Sequence, residues 1–370
     1  MEQSNLSINI REIYKNNPIE FHCHGISNFD FSELNINDLV KIDNVLKQEK
    51  INCLLTLFLP QSKLDFFVEY MNKFHEMKSL GKLNNIIGIS LEGPLLSSVG
   101  GTPKTGNWRP NHKDWNKIFQ CGRLGLKYVV LAPDIHLASP PYSTKEYPQV
   151  EWIVEGLLSN NISVALGHFQ KSNPQASAES IERVVAIARK LKKEKYGGAI
   201  LIDHFLNDMP QLIKHAWRGK DEQTKRISDL FALQMESWTL NNLDSKIGIV
   251  PATILRYAYE GDITICLNFD GEHVDLEISK RIVELIGDDS IIAMTDRANI
   301  ENLCGQKLFL KDKESLLYQS HDVVAAGTSN IDLQINNMLE MGISVESAWK
   351  MAYENPLRAL NSYEKMIIKN

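Results

Sequence analysis

The sequence predicts an α/β fold, a (β/α)8 TIM barrel that occupies residues 1–370 as a single domain with extra C-terminal helices. The first observation is a set of eight short apolar runs bounded by polar residues. The second is that segments with helical periodicity lie between these runs. The third is that most of the runs carry a histidine, a glutamate or an aspartate at their C-terminal end or within two residues of it. Short apolar runs that alternate with helices are typical of buried parallel strands.

Two runs show the pattern most clearly, because residues 163–168 end at His168 and residues 199–204 end at His204. The predicted strands cover residues 18–25, 51–59, 86–94, 126–134, 163–168, 199–204, 262–271 and 290–296. Helical periodicity occurs at residues 64–71, 181–188 and 278–286, and after the last strand at 331–339 and 345–354. Asn355-Pro356 is expected to end the last helix. The longest insertion covers residues 211–245.

Composition argues against several classes of protein. The chain has 370 residues, of which 43% are hydrophobic and 23% charged, so it can bury a full core. Its net charge of −6 argues against a nucleic-acid partner. A continuous apolar stretch of about 18 residues, which a membrane span needs, is missing. The first residues lack the features of a signal peptide, and the five cysteines have no pair spacing, so a cytoplasmic protein with reduced thiols is expected.

Six residues that can bind metal ions stand at the ends of predicted strands. In a parallel barrel these ends meet at one face, where active sites form. His22 and His24 point the same way because side chains alternate along a strand. Imidazole and carboxylate groups together suit one or two divalent ions, with zinc favoured and iron, manganese or cobalt as alternatives. The six predicted ligands are His22, His24, Glu92, His168, His204 and Asp296.

Each of these residues has an ordinary alternative role when it is considered alone. A single strand-end histidine can be a structural residue, Glu92 can cap the following turn, and Asp296 can cap the next helix. The coincidence of six such residues favours the metal site. A bound metal ion polarises a carbonyl and lowers the pKa of its water. Asp296 is then the candidate that takes a proton from this water and returns it to the leaving amine.

Several sequence blocks resemble the amidohydrolase superfamily, and specifically the N-acetylglucosamine-6-phosphate deacetylase family. The blocks keep their order and, with the strand-one histidines, spread over nearly all of the chain. They are Leu91-Glu92-Gly93-Pro94, Leu131-Ala132-Pro133-Asp134, Gly167-His168, the segment 204–210, the segment 270–274 and Thr295-Asp296. The resemblance implies a barrel of the metal-dependent hydrolase type, a small-molecule substrate and a homodimer.

The resemblance also implies roles for individual residues. Glu92, His168 and His204 would bind one metal ion, and His22 and His24 would support a second. Asp296 would be the catalytic acid and base. The turn with Asn207 and Asp208 would contact a sugar phosphate through its backbone, and His273 would contact the sugar. The implied reaction is the removal of an acetyl group from an N-acetylated amino sugar, with N-acetylglucosamine-6-phosphate as one candidate, or from a related N-acyl metabolite.

The sequence departs from the family at several points. The family's small β-sandwich domain is expected to be absent. Arg218 is a candidate substitute for the family's phosphate-binding arginine. Arg297 is expected either to narrow the pocket or meet an anionic group, or to be a solvated loop residue. The histidines at 112, 136, 215 and 321 are expected to lie solvated in loops.

Two other functions remain open from the sequence. One is another amidohydrolase reaction, by a deaminase or a cyclic-amide hydrolase. Some of those enzymes bridge two metal ions with a carboxylated lysine at the end of strand four. Here that end is Pro133-Asp134, and Lys127 lies at the start of the strand, so Glu92 is the better candidate bridge. The other is a catalytically inactive barrel that binds a sugar or a protein partner.

Overall fold

The computed structural model describes residues 10–137, 146–311, 314–319 and 323–361. Each predicted apolar run contains a strand, and these eight strands pair in parallel within one large curled sheet. The predicted mixed α/β fold with a parallel sheet is therefore confirmed. The strands are β1 Ile19–Ile26, β2 Phe29–Asp30, β3 Asn52–Leu57, β4 Ile86–Glu92, β5 Leu126–Leu131, β6 Ser163–Leu166, β7 Ile200–Ile202, β8 Thr264–Leu267, β9 Ile291–Ala293, β10 Arg297–Ala298, β11 Asn302–Leu303, β12 Gln306–Lys307, β13 Phe309–Leu310, β14 Leu316–Tyr318 and β15 Val324–Gly327.

The eighth predicted strand contains β9 and is followed directly by β10, and this segment joins the two ends of the parallel sheet. β9 pairs with β8, and β10 pairs with β1. Between them, the N–H of Met294 donates to the Leu267 carbonyl at 3.0 Å, and the N–H of Thr295 donates to the Phe21 carbonyl at 3.2 Å. One continuous segment thus bonds to both the first and the last parallel strand. This curl is consistent with a TIM-barrel-like fold.

The strands bury both of their faces. Phe21, Leu54, Val130, Ala165 and Leu201 belong to one buried cluster inside the curl, which the last helix covers. Their neighbours along the strands belong to a larger cluster between the sheet and the helices. Burial on both faces is why the strands read as continuous apolar runs rather than as alternating ones.

The helices occupy the predicted positions but extend beyond them. Polar residues cap several of them: Asn173 accepts a hydrogen bond from Ala176 N with Pro174 in the first turn, and Asp275 accepts one from Glu277 N. The helices are α1 Leu39–Glu49, α2 Leu64–Ser79, α3 His112–Gln120, α4 Val150–Ser159, α5 Pro174–Lys190, α6 Gly219–Gln223, α7 Arg226–Leu233, α8 Leu243–Ile247, α9 Ile249–Tyr259, α10 Leu276–Ile286, α11 Ile331–Glu340, α12 Val345–Trp349 and α13 Asn355–Asn361.

Two features of the C-terminal part differ from the prediction. Short antiparallel strands, β13, β14 and β15, extend the sheet beside β10 before the C-terminal helices begin. Asn355-Pro356 does not end the helix as predicted. A π-helical turn at Lys350–Glu354 connects α12 to α13 without a break, and Pro356 is the second residue of α13.

Within the described residues, no helix is both long enough and apolar enough to cross a membrane. All five cysteines are free thiols, and Cys23, Cys53, Cys121 and Cys266 are buried.

Candidate metal centre and active site

The predicted metal ligands gather around the carboxylate of Glu92. Glu92 Oε2 lies 2.9 Å from His22 Nε2 and 3.0 Å from His24 Nε2. Glu92 Oε1 lies 2.8 Å from His168 Nε2 and 3.9 Å from His204 Nε2. Each oxygen of one carboxylate therefore contacts two histidines, and Glu92 has the position of a bridge between two groups of ligands.

The backbone departs from regular strand geometry at four of these residues, within β1 at His22 and after the strands at the other three. His22, His168, His204 and Asp296 have φ values of 63°, 53°, 23° and 50°. Residues other than glycine adopt positive φ at a cost of about 1–3 kcal/mol each, and such residues cluster at functional sites. The left-handed conformation changes the direction of each of these side chains from the one that regular strand alternation would give.

Hydrogen bonds at the outer ring nitrogens fix the histidine orientations. His24 Nδ1 donates to the Thr56 carbonyl at 3.2 Å, and His168 Nδ1 donates to Asp208 Oδ2 at 2.9 Å. His22 Nδ1 lies 2.8 Å from the hydroxyl of Tyr128. When Nδ1 carries the proton, Nε2 is the free acceptor, and this arrangement is typical of histidines that bind metal through Nε2.

The residues present fit a divalent metal ion. One compact group of possible ligand atoms comes from Glu92, His168, Asp203 and His204, and a second comes from His22, His24 and Glu92. All of these side chains are buried. Asp203 Oδ2 and His24 Nε2 make no hydrogen bond of regular geometry among the described residues, although carboxylate oxygens lie 3.0 and 3.3 Å from His24 Nε2. Buried polar atoms without a partner are costly, so their convergence favours a cation as the missing partner.

In the metal-free protein the cluster holds charged histidines beside ionised carboxylates. Burial lowers the pKa of His22, but the Asp203 and Glu92 carboxylates outweigh it and raise the pKa to about 9. For His24, burial is likewise outweighed by Asp296 and Glu92, and the pKa rises to about 10. Burial favours the neutral form of Glu92, yet the surrounding histidines hold its pKa well below the usual range.

These pKa values predict that metal binding releases protons. His22, His24 and His168 have folded-state pKa values of about 9, 10 and 9, above the ordinary value of 6.5, so they are protonated at pH 7 and must lose a proton to bind metal. Metal affinity should therefore rise between pH 7 and pH 10. Calorimetry in two buffers with different ionisation heats measures the protons released, and binding at pH 7 without proton release would contradict the assignment.

The same shifts set the pH dependence of stability. Because the folded-state pKa of each histidine is raised, its stabilising contribution is complete below about pH 6.5 and is lost as the pH rises through 9 to 10. The metal-free protein should thus become less stable over this interval.

Asp296 stands between two histidines at the edge of the cluster. Its Oδ1 lies 3.3 Å from His24 Nε2, and its Oδ2 lies 3.4 Å from His273 Nε2. Burial acts to raise the pKa of Asp296, but these histidines lower it well below the usual range. Asp270 pairs with the other ring nitrogen of His273. Asp296 is therefore ionised and can accept a proton.

A pocket of about 520 Å³ opens onto the cluster. Its volume suits a small metabolite. Its lining includes the buried Glu92, His168, His204 and Asp296 and, at its more exposed end, Lys171 and Arg218. His215 also lines it. Asn207 also lines it, and the side-chain nitrogen of Asn207 is buried without a hydrogen-bond partner among the described residues.

The turn after β7 contacts the cluster through a side chain, and its backbone contact with a sugar phosphate stays a prediction. The backbone N–H of Asn207 donates to the His204 carbonyl at 2.8 Å, so it is already used within the turn. The side chain of Asp208 accepts hydrogen bonds from His168 and, at 2.9 Å, from the hydroxyl of Ser98. Lys171 Nζ forms an ion pair with the same carboxylate at 2.9 Å. Asp208 thus supports His168 through its side chain.

Arg297 meets anionic groups, which is one of the roles expected for it, but it neither lines the pocket nor is solvated, so those two expectations are wrong. Arg297 lies in β10, where it is buried and pairs with Glu20 at 3.1 Å and Glu49 at 2.9 Å.

The prediction of a solvated His215 is also wrong. Its Nδ1 accepts a hydrogen bond from the Gln211 side chain, and burial together with the Arg218 charge lowers its pKa to about 3. His112 begins α3 and His136 lies in a 3-10 turn, whereas His321 lies outside the described residues.

Three residues near the cluster were not predicted from the sequence: Tyr128, Lys171 and Asp203. Asp203 directly precedes the strand-end His204, and strand alternation would place the two on opposite faces. The positive φ of His204 removes that alternation. An acidic residue next to a predicted strand-end ligand is the signal that could have indicated it.

A second cavity, of about 580 Å³, lies outside the parallel sheet beside β2 and α1. Its lining includes Asp30, Glu33, Asp38 and Glu301, and its described lining residues include no histidine. The pocket over the Glu92 cluster is therefore the better candidate for the active site.

No protein-family model matches this sequence, and no curated protein matches it. Solved structures do. One is an N-acetyl-D-glucosamine-6-phosphate deacetylase mutant from Mycobacterium smegmatis in complex with N-acetyl-D-glucosamine-6-phosphate, with a TM-score of 0.66 and 15% identity over 94% of this chain and 77% of that chain. The chain has the fold of these deacetylases.

Two further solved structures agree with this likeness. The deacetylase from M. smegmatis described without the mutation has a TM-score of 0.66 and 16% identity over 94% of this chain and 78% of that chain. The N-acetylglucosamine-6-phosphate deacetylase from Pasteurella multocida has a TM-score of 0.64 and 18% identity over 94% of this chain and 77% of that chain. At these identities the likeness shows the fold, and the chemistry has to be argued from the site.

Proposed function

We propose that this protein is a metal-dependent deacetylase, built on a (β/α)8 barrel, that removes the acetyl group from a phosphorylated N-acetylated amino sugar. The observation that carries the proposal is the position of Glu92, whose two carboxylate oxygens contact four histidines on the floor of a pocket that Asp296 also lines. The likeness of the fold to deacetylases supports the same reaction class.

The site residues divide the chemistry between them. A divalent ion held by the histidines and Glu92 would polarise the amide carbonyl and lower the pKa of a water molecule, with zinc as the favoured ion. Asp296 takes a proton from the attacking water and gives it to the amine nitrogen as the carbon–nitrogen bond breaks. The products are acetate and a free amine. His273 holds Asp296 from the other side and keeps it in place for both transfers.

The pocket mouth supports an anionic group on the substrate. The side chain of Lys171 is 62% exposed, and its ammonium group has three donors, so its ion pair with Asp208 leaves donors that face solvent. Arg218 uses Nε and Nη2 to donate to the carbonyls of Glu272 and His273, which fixes the guanidinium beside the pocket. A phosphate that reaches this mouth would meet two cations.

The substitutions Lys171→Met and Arg218→Met should therefore lower kcat/KM for a phosphorylated substrate about 10- to 100-fold each, the loss expected for charge-assisted hydrogen bonds. They should change kcat/KM for the unphosphorylated sugar little. Steady-state kinetics with both sugars measure the difference, and Lys190→Met, on the outer helix α5, is the matched control. Equal losses for both sugars would contradict a phosphate subsite.

The direct test is acetate release from N-acetylglucosamine-6-phosphate and from N-acetylglucosamine by zinc-loaded protein. Turnover that favours the phosphorylated sugar supports the proposal. Metal binding without acetate release from either sugar would overturn the proposed substrate. Ammonia release from amino-substituted metabolites would then indicate a deaminase, and metal-loaded protein without any turnover would indicate an inactive barrel.

A further inference from the structure

Asp203 is a buried carboxylate that the proposed reaction does not use. Its side chain is 1% exposed, and its Oδ1 lies 3.0 Å from His22 Nδ1. Its Oδ2 has no hydrogen-bond partner among the described residues, although it lies 3.3 Å from His204 Nε2 and 3.9 Å from His168 Nε2. A buried carboxylate oxygen without a donor is costly unless a cation neutralises it.

The separations between ligand atoms match a four-coordinate site. Zinc bound at about 2.0–2.2 Å by four ligands in a tetrahedron holds these ligand atoms about 3.4 Å apart. Here Glu92 Oε1 and His168 Nε2 are 2.8 Å apart, and His168 Nε2 and His204 Nε2 are 3.1 Å apart. Asp203 Oδ2 lies 3.3 Å from His204 Nε2. The remaining measured separations within this set are 3.9 Å.

The local sequence makes room for this carboxylate. A Cβ on Gly167 would lie 2.9 Å from the Asp203 Cβ and 3.5 Å from its Oδ2. The Asp203 Cβ is fixed by its own backbone, so it cannot move away as the end of a long side chain can. Glycine at position 167 therefore leaves the space that the Asp203 side chain occupies beside the cluster.

We infer that Asp203 is a fourth ligand of the metal ion held by Glu92, His168 and His204. Four protein ligands would hold this ion tightly, and because zinc can expand to five-coordinate, water or substrate would still bind it from the pocket. The deeper group of His22, His24 and the other Glu92 oxygen offers three ligands. The ion at Asp203 is therefore the one retained more strongly. The inference rests on the proposed metal dependence, but it concerns metal binding alone and needs no turnover.

The test is Asp203→Asn, which keeps the shape of the side chain and removes the anionic ligand. After loading and dialysis against a chelator, zinc per chain and the dissociation constant of the tightest ion are measured, and the visible absorption of the cobalt-substituted protein reports coordination number. We expect the affinity for the tightest ion to fall about 10- to 100-fold or more. The visible spectrum of the cobalt-substituted protein should change as well. Unchanged affinity and an unchanged spectrum would overturn the inference.

Tyr128→Phe is the matched control, because it removes the other neighbour of His22 Nδ1 without removing a ligand. If Asp203 acted only by orienting His22, both variants would weaken metal binding equally, and the inference would be overturned. Thermal unfolding of the metal-free variants checks that each is folded. If Asp203→Asn does not fold, Gly167→Ala displaces the same carboxylate and should give the same loss of metal. The measurements use no substrate, so a wrong substrate assignment does not affect them.

Discussion

Asp296→Asn should abolish most of the deacetylase activity while the protein keeps its metal. The amide has nearly the same shape as the carboxylate, but it cannot accept a proton from water or return one to the amine. Loss of a general acid and base typically lowers kcat by about 10²- to 10⁴-fold. Asp296 lies 3.3 Å from His24 Nε2 but is not part of either compact group of ligand atoms, so we expect zinc content to change little.

Acetate release and zinc per chain are measured on the same preparation of Asp296→Asn. Glu260→Gln is the matched control, because Glu260 is a half-exposed carboxylate paired with Arg189 on the outside of the sheet. The control should keep both activity and zinc. Full activity in Asp296→Asn would exclude the assigned role. Loss of zinc together with activity would instead identify Asp296 mainly as a metal ligand.

The sequence was sufficient to predict the parallel strands and the convergence of their ends. Strands buried on both faces must be apolar throughout, and helices packed on them must be amphipathic, so both patterns are visible without a structure. The meeting of Glu92 with the four histidines follows from one rule, that the C-terminal ends of parallel strands share a face. That rule depends on topology and not on side-chain details.

The remaining parts depend on local backbone conformations that a pattern does not reveal. Positive φ at His204 lets two consecutive residues, Asp203 and His204, face the same cluster. Positive φ at Asp296 likewise breaks the strand alternation before Arg297, whose direction is set by the pairing of β10 with β1. The strands β11 to β14 have two or three residues each, too few to show a period. Such segments are fixed by contacts distant in sequence.

Glu92→Gln should remove the metal ions from the protein and, with them, the activity. Glutamine keeps the shape of the side chain, but it lacks the charge and the second equivalent oxygen with which Glu92 contacts two groups of histidines. Removal of supporting residues alone weakens metal binding about 10- to 100-fold, so the loss of a ligand shared by both groups should exceed this range. Elemental analysis after dialysis and acetate release measure the two effects.

Glu20→Gln separates metal binding from the general cost of changing a buried glutamate. Glu20 is fully buried on β1, as Glu92 is buried on β4, but it pairs with Arg297 away from the histidines. Its substitution should lower the free energy of unfolding, because the buried guanidinium loses a charged partner, while zinc content stays unchanged. Glu92→Gln should show the reverse separation, with zinc lost in a protein that remains folded. If both variants kept their zinc, the bridging role of Glu92 would be excluded. If both lost it, metal loss would report general destabilisation, because Glu20 touches none of the four histidines that surround Glu92.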